Sequence, residues 1–159
     1  MKLRFCTLNG ESGHIAGRKL LETLYREETG EDLPEILSGK FGKPYFPNAP
    51  YCFSISHTKN HAFCVLSEKN VGLDAEELTR TVKSGLAEKI LSPAEFAEYT
   101  RAADKNRALL TFWVLKEAAA KLSGEGLRGY PKNTDFSLND PSVQEIDGCL
   151  VAVLTENEE

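Results

Sequence analysis

Apolar and polar positions change their period several times along the chain, and each change marks an element. Leu3, Phe5 and Thr7 alternate with Arg4, Cys6 and Leu8, a mixed two-residue pattern that suits an opening strand. From Ser12 the spacing turns helical. Ile15, Leu20, Leu21, Leu24 and Tyr25 recur on one face, Ser12 can cap the first turn, and Gly30 can end the last. Across residues 34–50 the pattern dissolves among Gly39, Gly42, Pro44 and Pro47, which predicts a long irregular connector of the kind that is functional or mobile. Residues 51–56 and 62–68 read as two strands joined by a turn at Thr58, Lys59 and Asn60, and residues 71–76 as a third.

Helical signals follow. Residues 82–91 are weakly amphipathic, and Ser92-Pro93-Ala94-Glu95 is a capping box with proline in the first helical position, opening a short helix through Tyr99. Residues 106–122 contain no Gly or Pro, are rich in Ala and Leu, and stop before Gly124, which makes them the strongest helix signal. Residues 135–138, 143–146 and 149–154 read as short strands, the last two joined by an Asp147-Gly148 hairpin turn. No internal repeat is visible.

Composition narrows the class. With 159 residues, 41% of them hydrophobic, the chain fits one compact unit or two small halves sharing a core. A formal net charge of −5 and a pI near 5.3 argue against nucleic-acid or lipid binding. The longest apolar runs, 62–66 and 150–154, fall far short of the ~20 residues of a membrane span. The N-terminus lacks a secretory pattern, so a cytoplasmic location is expected. Cys6, Cys52, Cys64 and Cys149 stand singly in apolar stretches, as reduced core thiols would.

Several constellations could carry chemistry. Asp74 and Glu76, two apart on a strand, project from one face about 6.6 Å apart. Their apolar neighbours Val71, Leu73 and Ala75 suggest a central strand, where unpaired carboxylates are costly. Trp113, Glu117 and Lys121 follow at four-residue spacing on the strongest helix, with Lys116 beside them. Alone, Glu117 and Lys121 would form an ordinary exposed pair. Packed against the acidic strand, Glu117 becomes a third hard oxygen donor, which suits Mg²⁺ or Mn²⁺ better than zinc. Ser56 and His57, adjacent on a strand, point to opposite faces and make a poor nucleophile–base dyad; with Lys59 they suit a phosphate better. His57 and His61 have a helical zinc spacing, but Thr58-Lys59-Asn60 between them favours a turn and no third histidine is near. Gly39-Lys40-Phe41-Gly42-Lys43 lacks the spacing and following helix of a phosphate-binding P-loop.

Taken in order, four blocks resemble the 4′-phosphopantetheinyl transferase superfamily, and more closely its Sfp-type branch. They are Gly42-Lys43-Pro44-Tyr45-Phe46, Phe53-Ser54-Ile55-Ser56-His57-Thr58, Val71-Gly72-Leu73-Asp74-Ala75-Glu76, and Phe112-Trp113-Val114-Leu115-Lys116-Glu117-Ala118 with Lys121. Gly124-Glu125-Gly126-Leu127 looks like the loop after the family's signature helix. The resemblance implies an α+β fold of two similar α/β halves related by a pseudo-twofold, residues 1–69 and 70–159, with coenzyme A between them. It implies Mg²⁺-dependent transfer of the 4′-phosphopantetheine arm of coenzyme A to a serine of an apo carrier protein, with release of 3′,5′-ADP. By the same carry-over Asp74, Glu76 and Glu117 hold the metal. Lys43 and Pro44 lie along the adenine and 3′-phosphate, Ser56 and His57 contact phosphate, and Lys121 faces the pyrophosphate. Arg18 or His14 supplies an early basic contact to the 3′-phosphate.

Elementary chemistry agrees with these roles. Cleaving a pyrophosphate needs its charge neutralised, which Mg²⁺, Lys121 and His57 can supply, and the attacking hydroxyl comes from the partner; Glu117 is the expected proton acceptor. A monomer would complete such a site. Carrier proteins of this kind are acidic, and residues 79–121 hold eight bases against five acids, so Arg80 and Lys83, with Leu78, Val82 or Leu86, form the expected docking segment. Two other readings use the same residues: a non-catalytic coenzyme A-binding module, and a metal-dependent phosphohydrolase with water as nucleophile.

Overall fold

The computed structural model of the chain describes residues 1–126 and 134–157; Leu127, Glu158 and Glu159 lie outside them. The strand signals of the first part become β1 (Lys2–Thr7), β4 (Cys52–His57) and β5 (His61–Ser67), an antiparallel sheet in the order β1-β5-β4. The helix between them, α1 (Gly13–Thr29), is capped by the Ser12 side chain at one end and by left-handed Gly30 at the other. Its apolar stripe, Ala16, Leu20, Leu21, Leu24 and Tyr25, packs on Phe53, Ala62, Cys64 and Leu66. The 34–50 connector is not wholly irregular. It carries a small hairpin of β2 (Leu37–Ser38) and β3 (Pro44–Tyr45), turned at Gly42, where φ is 89°.

The second part builds an antiparallel sheet in the order β6-β8-β7, from β6 (Val71–Glu77), β7 (Val143–Ile146) and β8 (Cys149–Thr155). The β7–β8 hairpin turns at Asp147 and Gly148, both with positive φ (48° and 78°), as a primed turn requires. Of the predicted helix at 82–91 only α2 (Gly85–Ile90) forms, because the Val82 amide bonds to the Asn106 side chain instead of opening a helix. Then come α3 (Pro93–Arg101), with its capping box closed in both directions, and α4 (Lys105–Ser123), capped by Asp104 and ended by left-handed Gly124. The expected strand at 135–138 is absent. Its Phe136 and Leu138 amides donate to the Glu95 and Glu98 carboxylates of α3, so no strand partner is needed.

The result is an α+β fold. Leu110, Val114, Leu115 and Ala118 of α4 cover one face of the second sheet through Leu150 and Ala152. Phe63 and Val65 of β5 meet Val71, Leu73 and Ala75 of β6 and Val151 of β8 in a core shared by the two sheets. Among the described residues no helix is long and apolar enough to cross a membrane.

Strand β6 corrects one expectation. It is not central but the edge of its three-stranded sheet. Its open side is covered by β4, whose Ser54 and Ser56 hydroxyls accept hydrogen bonds from the Leu73 (3.0 Å) and Ala75 (3.1 Å) amides. Two serines thus do for the edge what a paired strand would do, leaving no buried amide unsatisfied at these positions.

Candidate active site

Helix α4 lies so close on β6 that only glycine fits at Gly72. A Cβ there would stand 2.1 Å from the Ala118 carbonyl oxygen and 2.5 Å from the Leu122 nitrogen. The contact brings Glu117 and Lys121 of α4 to the face of β6 that carries Asp74 and Glu76. The Lys121 ammonium donates to Asp74 Oδ1 (3.1 Å) and to the Ile55 carbonyl of β4 (3.3 Å).

Asp74 is the electrostatic centre. It is buried, its Oδ1 receives Lys121 and the Ser56 hydroxyl (3.3 Å), and its Oδ2, though buried, has no hydrogen-bond partner among the described residues. Burial pushes its carboxyl up to about 7; Lys121 opposes the shift, while Glu117 and Glu76 add to it. Glu117, half-buried, is also raised, first by burial and further by Glu76, against Lys121 and Arg80. Glu76 is held from two sides. Arg80 forms an ion pair with it, and the Trp113 indole N–H donates to its Oε1 at 3.1 Å. An orphaned carboxylate oxygen beside two further carboxylates is a hard, anionic donor set, and it fits a divalent cation such as Mg²⁺ or Mn²⁺.

Beside this cluster runs a cleft of about 290 Å³, lined by Phe41, Lys43 and Pro44 of the small hairpin, Ser54 and Ile55 of β4, and Glu117 and Lys121 of α4. Lys43 contributes its stem. Its ammonium is drawn inward to Asn70 Oδ1 (2.6 Å) and the carbonyls of Leu122 (3.1 Å) and Val71 (3.3 Å), and burial lowers its pKa. It thereby ties the connector to the start of β6 and the C-terminal end of α4. The Ser56 hydroxyl is likewise engaged inside, with Ala75 and Asp74. His57 points the other way and is exposed, its ring packed against Gly13 at the start of α1, where a Cβ would come within 2.5 Å of the imidazole. His14 and Arg18 are exposed on that same helix. They stand on the His57 side of β4, away from the carboxylates.

Two expectations change. Lys116 does not join Glu117 and Lys121. It is buried in an ion pair with Glu95 (2.6 Å) and donates to the Thr134 carbonyl, because neighbouring residues on a helix point about 100° apart. The thiol that the fold brings to His61 is not Cys64, three residues along, but Cys149 of β8. His61 Nδ1 lies 3.3 Å from Glu77 Oε1 and 3.5 Å from Cys149 Sγ, and its Nε2 lies 2.7 Å from Asp147 Oδ2. One ligand atom each of His61, Glu77 and Cys149 falls within 4.8 Å of the others, so these three could hold a metal ion. Glu77, however, is already saturated by Thr58, both nitrogens of Asn60 and His61, and serves as the cap of the β4–β5 turn. Sequence reasoning missed Arg80 and Ser54 as parts of the site. The Ser54-x-Ser56 alternation, two hydroxyls on the buried face of an otherwise apolar strand, was the available signal.

A family model described as the 4′-phosphopantetheinyl transferase superfamily matches residues 70–153, from the start of β6 into β8. The chain belongs to this superfamily. It is 28% identical over 118 residues to a 4′-phosphopantetheinyl transferase of Bacillus subtilis, covering 71% of this chain and 52% of that protein. It is 28% identical over 125 residues to the 4′-phosphopantetheinyl transferase HetI of Nostoc, covering 70% and 52%. With an L-aminoadipate-semialdehyde dehydrogenase-phosphopantetheinyl transferase of Candida glabrata it shares 27% over 123 residues, covering 71% and 48%. The chain spans about half the length of these curated relatives.

Proposed function

We propose that this chain transfers the 4′-phosphopantetheine arm of coenzyme A to a serine hydroxyl of an acidic apo carrier protein. The serine oxygen forms the new bond to the phosphorus that bears the pantetheine arm; the bond to the other phosphate breaks, and 3′,5′-ADP leaves with the electron pair. The observation that carries this reading is the convergence of Asp74, with its unpartnered buried oxygen, Glu76, Glu117 and Lys121 beside a cleft walled by Lys43 and Pro44. None of these is an activated nucleophile, which suits a reaction whose nucleophile belongs to the partner.

The chain's own residues take definite parts. Asp74, Glu76 and Glu117 hold Mg²⁺ or Mn²⁺, which when bound neutralises pyrophosphate charge. Lys121 steadies Asp74 and presents positive charge to the pyrophosphate. Glu117 accepts the proton of the attacking serine. Lys43 and Pro44 flank the adenine, and His57 with either His14 or Arg18 forms a phosphate-facing side on the outer face of β4, while Ser56, whose hydroxyl is engaged with Asp74 and Ala75, holds the acid in place instead of contacting phosphate directly. The two sheets with their helices, residues 1–69 and 70–159, act as pseudo-twofold halves of one monomeric, cytoplasmic enzyme with coenzyme A between them. The carrier docks on the basic groove of about 460 Å³ formed by Arg80, Val82, Lys83, Leu86 and Lys89; Lys116, buried against Glu95, takes no part in it.

Mass spectrometry of an apo acyl carrier protein incubated with this chain, coenzyme A and Mg²⁺ tests the reading, with the mass of one added arm as the expected result. Tight coenzyme A binding without mass gain would instead indicate a non-catalytic module. Release of 3′,5′-ADP without carrier would indicate hydrolysis.

A further inference from the structure

Glu76 is already engaged by a cation of the chain's own. After β6 the backbone turns, with the Arg80 amide donating to the Glu77 carbonyl (2.9 Å), and this brings the Arg80 guanidinium back onto Glu76. The same guanidinium lies 5.9 Å from the centre of the Trp113 ring, whose N–H donates to the same Glu76 oxygen. Asn106 of α4 pins the Arg80 backbone, donating to its carbonyl at 2.8 Å and accepting from the Val82 amide at 2.9 Å. The backbone is therefore fixed by Asn106, while the side chain is held by Glu76 and the Trp113 ring and is 46% exposed. Its other face lines the groove with Val82, Lys83, Leu86 and Lys89.

We infer that Arg80 is a latch between the two sites: it competes with the divalent cation for Glu76, and a bound cation sends its guanidinium into the groove to join Lys83 and Lys89 against an acidic carrier. This rests on the metal and carrier reading above. Charge count gives the direction. With all three carboxylates ionised, they and Lys121 and Arg80 leave one net negative charge. A divalent cation added to that set would leave one net positive charge, and releasing Arg80 restores neutrality. By reciprocity, a carrier that draws Arg80 into the groove strengthens cation binding by the same factor.

The chain has one tryptophan, so Trp113 fluorescence reports on this assembly directly. The test is a Mg²⁺ titration without coenzyme A or carrier, followed by Trp113 fluorescence and by calorimetry, on the parent, Arg80→Ala and Arg80→Lys. Removing a half-exposed competing ion pair should tighten Mg²⁺ binding about two- to fivefold in Arg80→Ala, with Arg80→Lys between. A second arm measures binding of an apo acyl carrier protein whose acceptor serine is replaced by alanine. Mg²⁺ should strengthen binding to the parent, and that dependence should vanish in Arg80→Ala. A Mg²⁺ response of equal or weaker affinity in Arg80→Ala overturns the latch and leaves the metal site standing. No Mg²⁺ response in any of the three, by either method, overturns the latch and the metal reading together.

Discussion

At the scale of single residues, the candidate site works against the stability of the fold. Asp74 is a buried carboxylate with one satisfied and one orphaned oxygen, raised to about 7. Because an unfolded aspartate titrates near 3.9, the native state binds more protons between about pH 4 and pH 7, so this residue's contribution to stability falls as pH rises through that window. Asp74→Asn in metal-free protein should therefore raise stability by about 1–3 kcal/mol at pH 8, less than the full shift implies because Lys121 loses its partner, and hardly at all at pH 5. Urea unfolding at the two pH values measures this, and the same variant should lose Mg²⁺ binding. Glu117→Gln removes a metal ligand and the proton acceptor together, so the expected outcome is kcat reduced about 10²-fold or more, read at saturating Mg²⁺ with Mg²⁺ affinity measured alongside. A variant that binds Mg²⁺ normally and turns over at the parent rate would remove Glu117 as the proton acceptor. The acids were legible in sequence because strand and helix periods fix which side chains share a face. The partners Ser56, Arg80 and Trp113 of those acids were not, since which hydroxyl or guanidinium reaches a carboxylate depends on how strands and turns pack.

At the scale of elements, what the sequence marks clearly are boundaries: Ser12, Ser92, Gly30 and Gly124 all cap or end helices through local geometry, while the Asp104 cap of α4 shows only in the structure. Where side chains replace backbone partners, local pattern misleads. The 135–138 segment looks like a strand because it alternates Asp135, Phe136, Ser137 and Leu138, but its amides go to carboxylates of α3. Glu95 is the hub of that arrangement. It closes the α3 capping box through the Ser92 amide, accepts from Phe136, and pairs with fully buried Lys116 of α4. Lys116→Met should leave an uncompensated buried carboxylate and cost about 3–5 kcal/mol, whereas adding Glu95→Gln should restore part of the loss. Thermal unfolding of the two single variants and the double variant gives the coupling. A Lys116→Met variant as stable as the parent would mean that the backbone donors alone satisfy Glu95.

For the whole molecule, the question is whether the two sheets unfold together or apart. Ties cross between them at both ends of β6 and along its length: the Ser54 and Ser56 hydroxyls on β6 amides, Lys121 on the Ile55 carbonyl, Lys43 on Asn70 and Leu122, Thr58, Asn60 and His61 on Glu77, His61 on Asp147, and the shared core of Phe63 and Val65 with Leu73, Ala75 and Val151. Phe63 is fully buried in that shared core and belongs to the first sheet, while Trp113 sits on α4 against the second. If the ties outweigh the independence of either part, Phe63→Ala will cost about 3–5 kcal/mol and will move every probe of unfolding by the same amount. The chain supplies its own probes. Trp113 fluorescence reports the α4 side, Cys64 is a buried thiol of β5 beneath α1, and Cys149 is a buried thiol of β8. Pulsed thiol labelling across a urea series should give the same midpoint for Cys64, Cys149 and Trp113 in the parent, and one common, lower midpoint in Phe63→Ala. Cys64 becoming reactive at clearly lower urea than Cys149 would mean that the first sheet opens by itself. The cleft between them would then be a boundary of cooperativity, and substrate held across it would stabilise the first sheet more than the second.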